Sequence, residues 1–424
     1  MSEAPRLTTL DSGVRVVTEA MSSVRSIALG FWIRAGSRDE GAEQAGISHF
    51  LEHLLFKGTD RFSSLEIDEL FDAMGAEVNA GTSKETTSVY ARFLDVHLER
   101  AFDVLQDMVL RPAYPDIDSE RQVVIEEIAM YEDEPSDKVH DVLSGAIFGD
   151  HPLGRPIIGR AEVISAVPVP RIAEWHDQLY VPGNIVVSAA GNLDHDRIVE
   201  LVDGALAAAP PAGEVGSEPS TAPRTRFHTK ETEQYHLALG GPGIARGDDR
   251  RFAMRILDTI LGGSSSSRLF QEVREKRGLA YSVFSYTSQY ADTGTVALYV
   301  GTRPDNVQEA MKVIGSELAR LQSDGVTAEE IERARENVKG RTVLSMESSS
   351  AQMNRLGSSL LMGVPLLTID EVLERLDAVT LDDVVGLARE LWVPERLSAA
   401  GVGADEAAFR SALDAVSPAL AEAA

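Results

Sequence analysis

The sequence predicts an α+β protein built as two tandem homologous domains, each a mostly antiparallel sheet packed with helices. Three observations predict it. Short runs that alternate apolar and polar residues recur between longer runs with helical spacing, so strands and helices are interspersed along the chain. The stretch from Ala207 to Pro223 has no periodicity, is rich in Pro, Gly and Ser, and divides the 424 residues almost in the middle. Finally, Leu179-Tyr180-Val181-Pro182-Gly183-Asn184 followed by Ser188-Ala189-Ala190-Gly191 is echoed by Leu391-Trp392-Val393-Pro394-Glu395-Arg396 followed by Ser398-Ala399-Ala400-Gly401. Such an echo marks an internal repeat of roughly 210 residues. The expected division is 1–206, a linker over 207–224, and 225–424.

The elements follow in order. Gly13 to Thr18 and Ser26 to Ile33 alternate as strands joined by a short connection. A helix is expected around His49, with Ile47, Phe50, Leu51, Leu54 and Leu55 forming an apolar stripe by the i, i+3, i+4, i+7, i+8 rule and Gly58 offering a stop. A second helix runs from Ser64 to Met74, with Leu65, Leu70 and Phe71 expected inward, and stops at Gly75. Glu77 to Thr82 and Thr86 to Phe93 read as two strands around a polar turn, and helical periodicity returns from His97 to Leu110 and from Ser119 to Glu132. In the second copy, Gly294 to Val300 matches the Thr86–Phe93 strand, and Ser267 to Glu272 takes the place of the helix around His49.

That first helix carries the chemistry. His49 and His53 stand one turn apart on one face with Glu52 beside them. Two neutral imidazoles at i, i+4 suit Zn²⁺, and a carboxylate that does not bind the metal can act as base toward its water. A His-x-x-Glu-His string is expected only about 0.02 times in a chain of this composition. The third ligand should come from another helix, and the best supply is Ser119 to Ile128. Glu120 and Glu127, seven apart, share a face there, with Glu126 about 100° away from Glu127. Spacing alone does not choose among these carboxylates.

Composition bounds the rest. With no cysteine, disulfides and thiolate ligands are excluded, so a metal site must use His, Asp and Glu. A net charge of −27 argues against nucleic acid or an anionic membrane as the main partner. No apolar run reaches membrane-spanning length, and Met1 to Arg6 lacks the basic and apolar regions of a signal peptide, so the expected location is cytoplasmic.

Taken together, His49-Phe50-Leu51-Glu52-His53, Phe56-Lys57-Gly58-Thr59, Val78-Asn79-Ala80, Thr82-Ser83 and Glu120-Arg121 leading to Glu126-Glu127 resemble the pitrilysin/insulinase metallopeptidases, an inverzincin family. The likeness is greatest to short bacterial members related to the β-subunit of mitochondrial processing peptidase, and it covers essentially the whole chain. The resemblance implies a zinc endopeptidase with one Zn²⁺ per chain held by His49, His53 and Glu127, Glu120 as a supporting acidic residue, and Glu52 as general base. It also implies that Arg274 and Tyr281 approach the substrate over the metal. The peptide would lie extended along the strand bearing Asn79 and Ala80, inside a homodimeric clamshell. Gly262-Gly263-Ser264-Ser265-Ser266-Ser267 resembles the glycine-rich substrate loop of the processing peptidase's partner subunit, with serine replacing much of the glycine. Because relatives of this fold include scaffold subunits without proteolytic activity, a non-proteolytic scaffold or peptide-binding subunit is the alternative.

Overall fold

A computed structural model of the chain describes residues 4–115, 117–204, 211 and 218–423. The first half supplies strands β1 (Arg6–Thr9), β2 (Arg15–Ala20), β3 (Ser26–Ile33), β4 (Glu77–Thr82), β5 (Thr87–Leu94) and β6 (Ile185–Gly191). Its longer early helices are α1 (Ile47–Leu54), α2 (Ser64–Met74), α3 (Leu98–Leu110), α4 (Ile117–Asp133) and α5 (Pro135–Phe148). The second half supplies β7 (Thr225–Thr229), β8 (Tyr235–Gly243), β9 (Ala280–Gln289), β10 (Gly294–Thr302) and β11 (Ser398–Gly403).

The strands form two sheets, in the orders β1-β2-β6-β3-β5-β4 and β7-β11-β8-β10-β9. After β1, the two orders match strand for strand. So do the directions: β2 with β6 and β7 with β11 are parallel, whereas every other pair is antiparallel. The repeat is therefore present in topology, and β10 stands where β5 stands.

The compact units are not continuous halves of the chain. One is built within residues 1–128, 156–216 and 343–368, the other within 129–155, 217–342 and 369–424. The expected division at 206 and 225 thus differs from the compact units in two segments, and the expected linker over 207–224 falls largely outside the described residues. The reason is a reciprocal exchange. Helix α5 packs on β11, β8 and β7, whereas the helix Ser349–Leu361 packs on β6, β3 and β2. Each lies on the sheet built by the other half of the sequence.

This exchange explains the composition of β3. Ile27, Leu29, Phe31 and Ile33 face the core under α1 and α3, while Ala28 and Trp32 face Met353 and Leu356 of the exchanged helix. A strand covered on both faces reads as a continuous apolar run. Helix Ser349–Leu361 approaches so closely that a Cβ on Gly357 would lie 2.2 Å from Trp32 Nε1.

Two expectations are corrected. Leu65 is 64% exposed, because α2 begins at Ser64 behind a Ser63–Glu66 capping box and its inward row is Ile67, Phe71 and Met74, with Leu70 at the margin. Leu65 is two residues from Ile67, on the opposite side of the helix. In the second copy, element order puts the helix Arg251–Leu261 in the place of α1, since the π-helical turn Phe270–Glu275 precedes β9 as α2 precedes β4. The stretch Ser267 to Glu272 therefore matches the region of α2. Among the described residues no helix is long and apolar enough to cross a membrane.

Candidate metal centre

Helix α1 is fixed from below and at its start. Ile47, Phe50, Leu51, Leu54 and Leu55 are fully buried, which anchors one face and turns His49, Glu52 and His53 away from the core. Gly46 caps the helix with φ of 98°, a conformation that favours glycine. Buried Glu40 then accepts hydrogen bonds from the Gly46 and Ser48 amides at 2.8 and 2.9 Å, placing a carboxylate against the positive end of the helix. The helix proper ends at Leu54, before the expected stop at Gly58.

Helix α4 is locked to it by Arg121. That guanidinium lies 5.4 Å from the Phe50 ring centroid and donates to the carbonyls of Ile164 and Val167. Val124 and Ile128 are buried, so Glu120 and Glu127 come to the same side of α4 and face α1, whereas Glu126 is exposed.

His49, His53 and Glu127 each bring one ligand atom within 4.8 Å of the others. Glu127 Oε2 lies 3.2 Å from His53 Nε2 and 3.7 Å from His49 Nε2. Behind His53, Glu120 Oε1 is 2.8 Å from Nδ1, and Lys57 Nζ is 2.7 Å from Glu120 Oε2. Burial, and after it the neighbouring His53, pushes the His49 imidazole down to about 4, so it is neutral and able to donate a lone pair near pH 7. Two imidazole nitrogens and one carboxylate converging on one point, with no thiolate, are the donor set that suits Zn²⁺. The residues present fit the ion.

Glu52 stands apart from that set. Its Oε2 accepts a hydrogen bond from Thr82 Oγ1 at 2.5 Å. Burial, and to a smaller degree Glu127, raises its proton affinity, against the lowering effect of the Thr82 hydroxyl, of His53 and of the Thr82 backbone amide. Thr82 ends β4, which lies at an edge of its sheet and, among the described residues, pairs only with β5. Along β4, Val78 and Ala80 pack on the core while Asn79 faces outward, its Oδ1 accepting from the Ala80 amide at 2.8 Å.

Arg274 and Tyr281 occur together in the other unit. The Arg274 guanidinium lies 4.4 Å from the Tyr281 ring centroid and 4.6 Å from that of Phe270, and Tyr281 is 79% exposed. The stretch 262–267 leaves the helix Arg251–Leu261 through a turn in which the Gly262 and Gly263 amides both donate to the Asp258 carbonyl in the last turn of that helix.

Sequence comparison assigns the family. Residues 15–161 match the family model described as insulinase (peptidase family M16), and residues 167–338 match the one described as peptidase M16 inactive domain. An uncharacterized zinc protease of Streptomyces coelicolor is 46% identical over 398 residues, 91% of this chain and 87% of its own length. This chain belongs to peptidase family M16. A second relative of this M16 protein, an uncharacterized zinc protease of Bacillus subtilis, is 43% identical over 91% of this chain and 95% of its own length. The fold is shared with two solved structures. One, a peptidase M16 inactive domain from Pseudomonas fluorescens, has a TM-score of 0.88 at 22% identity, covering 95% of this chain and 98% of that one. The other, a protease from Helicobacter pylori, also has a TM-score of 0.88, at 23% identity, covering 94% and 99%.

Residues that the sequence did not single out for a role here are Glu40, Thr82, Lys57 and Arg121. Thr82 carried a signal: in the inward row Val78, Ala80, Thr82 it is the one hydroxyl, and a half-buried hydroxyl needs a partner.

Proposed function

We propose that this M16 chain is a zinc-dependent endopeptidase that holds one ion per chain on His49, His53 and Glu127 and uses Glu52 as general base. The observation that carries this reading is the convergence of three donor atoms within 4.8 Å of one another, with a fourth side chain, Glu52, held aside by Thr82. A zinc ion bound there supplies Lewis acidity and lowers the pKa of water toward about 7. Glu52, whose Oε2 accepts from the Thr82 hydroxyl, takes the proton from the attacking water. Glu120 steadies His53 by accepting at Nδ1, and Lys57 balances the charge of Glu120.

The same proposal gives the substrate an extended conformation along the open edge of β4 at Asn79 and Ala80, where backbone pairing adds a strand. Arg274 and Tyr281 donate hydrogen bonds to charge developing on the scissile carbonyl. Both serve the opposite chain of a homodimeric clamshell, in the cytoplasm.

The test is to incubate the protein with a mixed library of internally quenched peptides, with and without a chelator, beside Glu52→Gln, and to measure metal content on the same samples. Cleavage that needs both metal and Glu52 supports the peptidase. Stoichiometric zinc without cleavage would favour a scaffold or peptide-binding subunit, a reading that the inactive-domain match over residues 167–338 keeps in view.

A further inference from the structure

We propose that Thr82 is the positioning residue for Glu52: its hydroxyl holds the carboxylate away from the three metal donors and aims its second oxygen at the attacking water. This deepens the peptidase reading and rests on it. A carboxylate one turn from two histidines has two competing fates, because it can join the ligand set or remain outside it as a base. The structure shows which interaction decides. Glu52 Oε2 is occupied by Thr82 Oγ1, and the compact donor group consists of His49, His53 and Glu127 without Glu52.

The hydroxyl has no equivalent alternative use. Thr87 Oγ1 is 3.5 Å from Thr82 Oγ1 but donates to the Ala35 carbonyl at 2.9 Å, so the Thr82 proton is left for the carboxylate. Thr82 is also rigidly placed. The turn that follows it is closed by Ser83 N to the Thr86 carbonyl at 2.7 Å and by the two side-chain oxygens of Ser83 and Thr86 at 2.8 Å. It is tied to the loop before α1 through Ser37 N to the Ser83 carbonyl at 3.1 Å and Arg38 N to the Lys84 carbonyl at 2.7 Å. The buried Arg38–Glu85 ion pair, at 2.7 Å, reinforces that tie. A base held by a hydroxyl on so constrained a turn is kept in one orientation. Since Thr82 ends the strand whose edge takes the peptide in the proposed function, the base is registered to the strand that places the scissile bond.

The test compares Thr82→Val, which keeps the shape and removes the donor, with Thr82→Ser, which keeps the donor. Two readouts are taken: kcat and KM on a quenched peptide, and the visible absorption of the Co²⁺-loaded protein. Thr82→Val should lower kcat about tenfold to a hundredfold with KM little changed, as misplacement of a reacting group does. It should also change the Co²⁺ spectrum as the freed Glu52 carboxylate enters the coordination sphere. Thr82→Ser should restore both. Thr82→Val with unaltered kcat and spectrum would overturn the assignment, as would a Thr82→Ser variant as impaired as the valine. If the unaltered protein binds Co²⁺ and cleaves nothing, the peptidase reading fails while the spectra still decide whether Thr82 keeps Glu52 off the metal. A protein that neither binds Co²⁺ nor cleaves overturns both.

Discussion

Removing the carboxylate of Glu120 should weaken zinc binding by an amount that depends on what replaces it. Glu120 Oε1 lies 2.8 Å from His53 Nδ1, and its side chain is only 7% exposed, so solvent screens the interaction little. A hydrogen bond to a charged partner contributes about 1.5–3 kcal/mol and a neutral one about 0.5–1.5 kcal/mol. Glu120→Gln can still accept at Nδ1, so only the charged increment of about 1 kcal/mol is lost, a factor of roughly 5–10 in affinity. Glu120→Ala leaves Nδ1 and the Lys57 ammonium without their partner, and the loss should approach the hundredfold found when a ligand's outer support is removed. Chelator-competition titration of Zn²⁺ at constant pH measures both, with thermal melts of the metal-free proteins as a control for folding. Equal affinity in the unaltered protein and Glu120→Ala would refute the reasoning, and so would a glutamine variant weaker than the alanine one.

Further outcomes follow from other sites. Glu52→Gln should bind zinc like the unaltered protein and lose about 10²–10⁴ in kcat, which metal analysis and initial rates on one sample can check. Mixing Glu52→Gln with Tyr281→Phe chains should recover some activity if Arg274 and Tyr281 act across the proposed dimer; mixed dimers as inactive as their parents would sink that assignment. Gly357→Ala should lower the urea midpoint, since its Cβ meets Trp32 Nε1 at 2.2 Å and overpacking of about 1–3 kcal/mol outweighs a helix gain of about 1 kcal/mol; a higher midpoint would mean that the indole yields. Burial lowers the proton affinity of His140 and His236, whose Nδ1 atoms pair with the hydroxyls of Tyr286 and Tyr299. Below the ordinary histidine value of 6.5 the unfolded chain therefore binds protons that the folded one resists, so stability should fall as pH drops from 7 toward 5. His140→Gln should flatten that slope in urea titrations across this range, and an unchanged slope would exclude His140 as a source.

Local periodicity carried most of the secondary structure. The stripe of α1 and the strand alternation of β4 follow from contacts each residue makes with its own element's neighbours, and those were readable from spacing. Leu65 reads as inward from spacing but is exposed, because an apolar residue in a first turn looks the same whether the phase of the helix turns it in or out. The exchange of α5 and Ser349–Leu361 left no local mark, since an amphipathic helix shows that it covers a sheet and not which sheet. The centre divided in the same way. His49, Glu52 and His53 announce themselves by sequence proximity. Choosing Glu127 over Glu126 needed the phase of α4 against α1, and that phase is set by Arg121 reaching Phe50 and the Ile164 and Val167 carbonyls. Glu40 and Thr82 act on α1 from outside it, so only the folded chain brings them into view.

The crossing of α5 and Ser349–Leu361 also fixes an order of events during synthesis. When residues up to 206 have left the ribosome, the six strands of the first sheet are all present, yet the face bearing Val17, Met21, Trp32 and Val186 has nothing to cover it. Its cover emerges only with residues 349–361, so that apolar surface waits through about a third of translation. At about 5–20 residues per second the wait is on the order of ten seconds or more, long against the collapse of a chain. Meanwhile α5 is made well before the sheet it belongs to. Each sheet therefore takes one of its covering helices from the other half of the sequence, and the first sheet acquires its own only when most of the chain has been made.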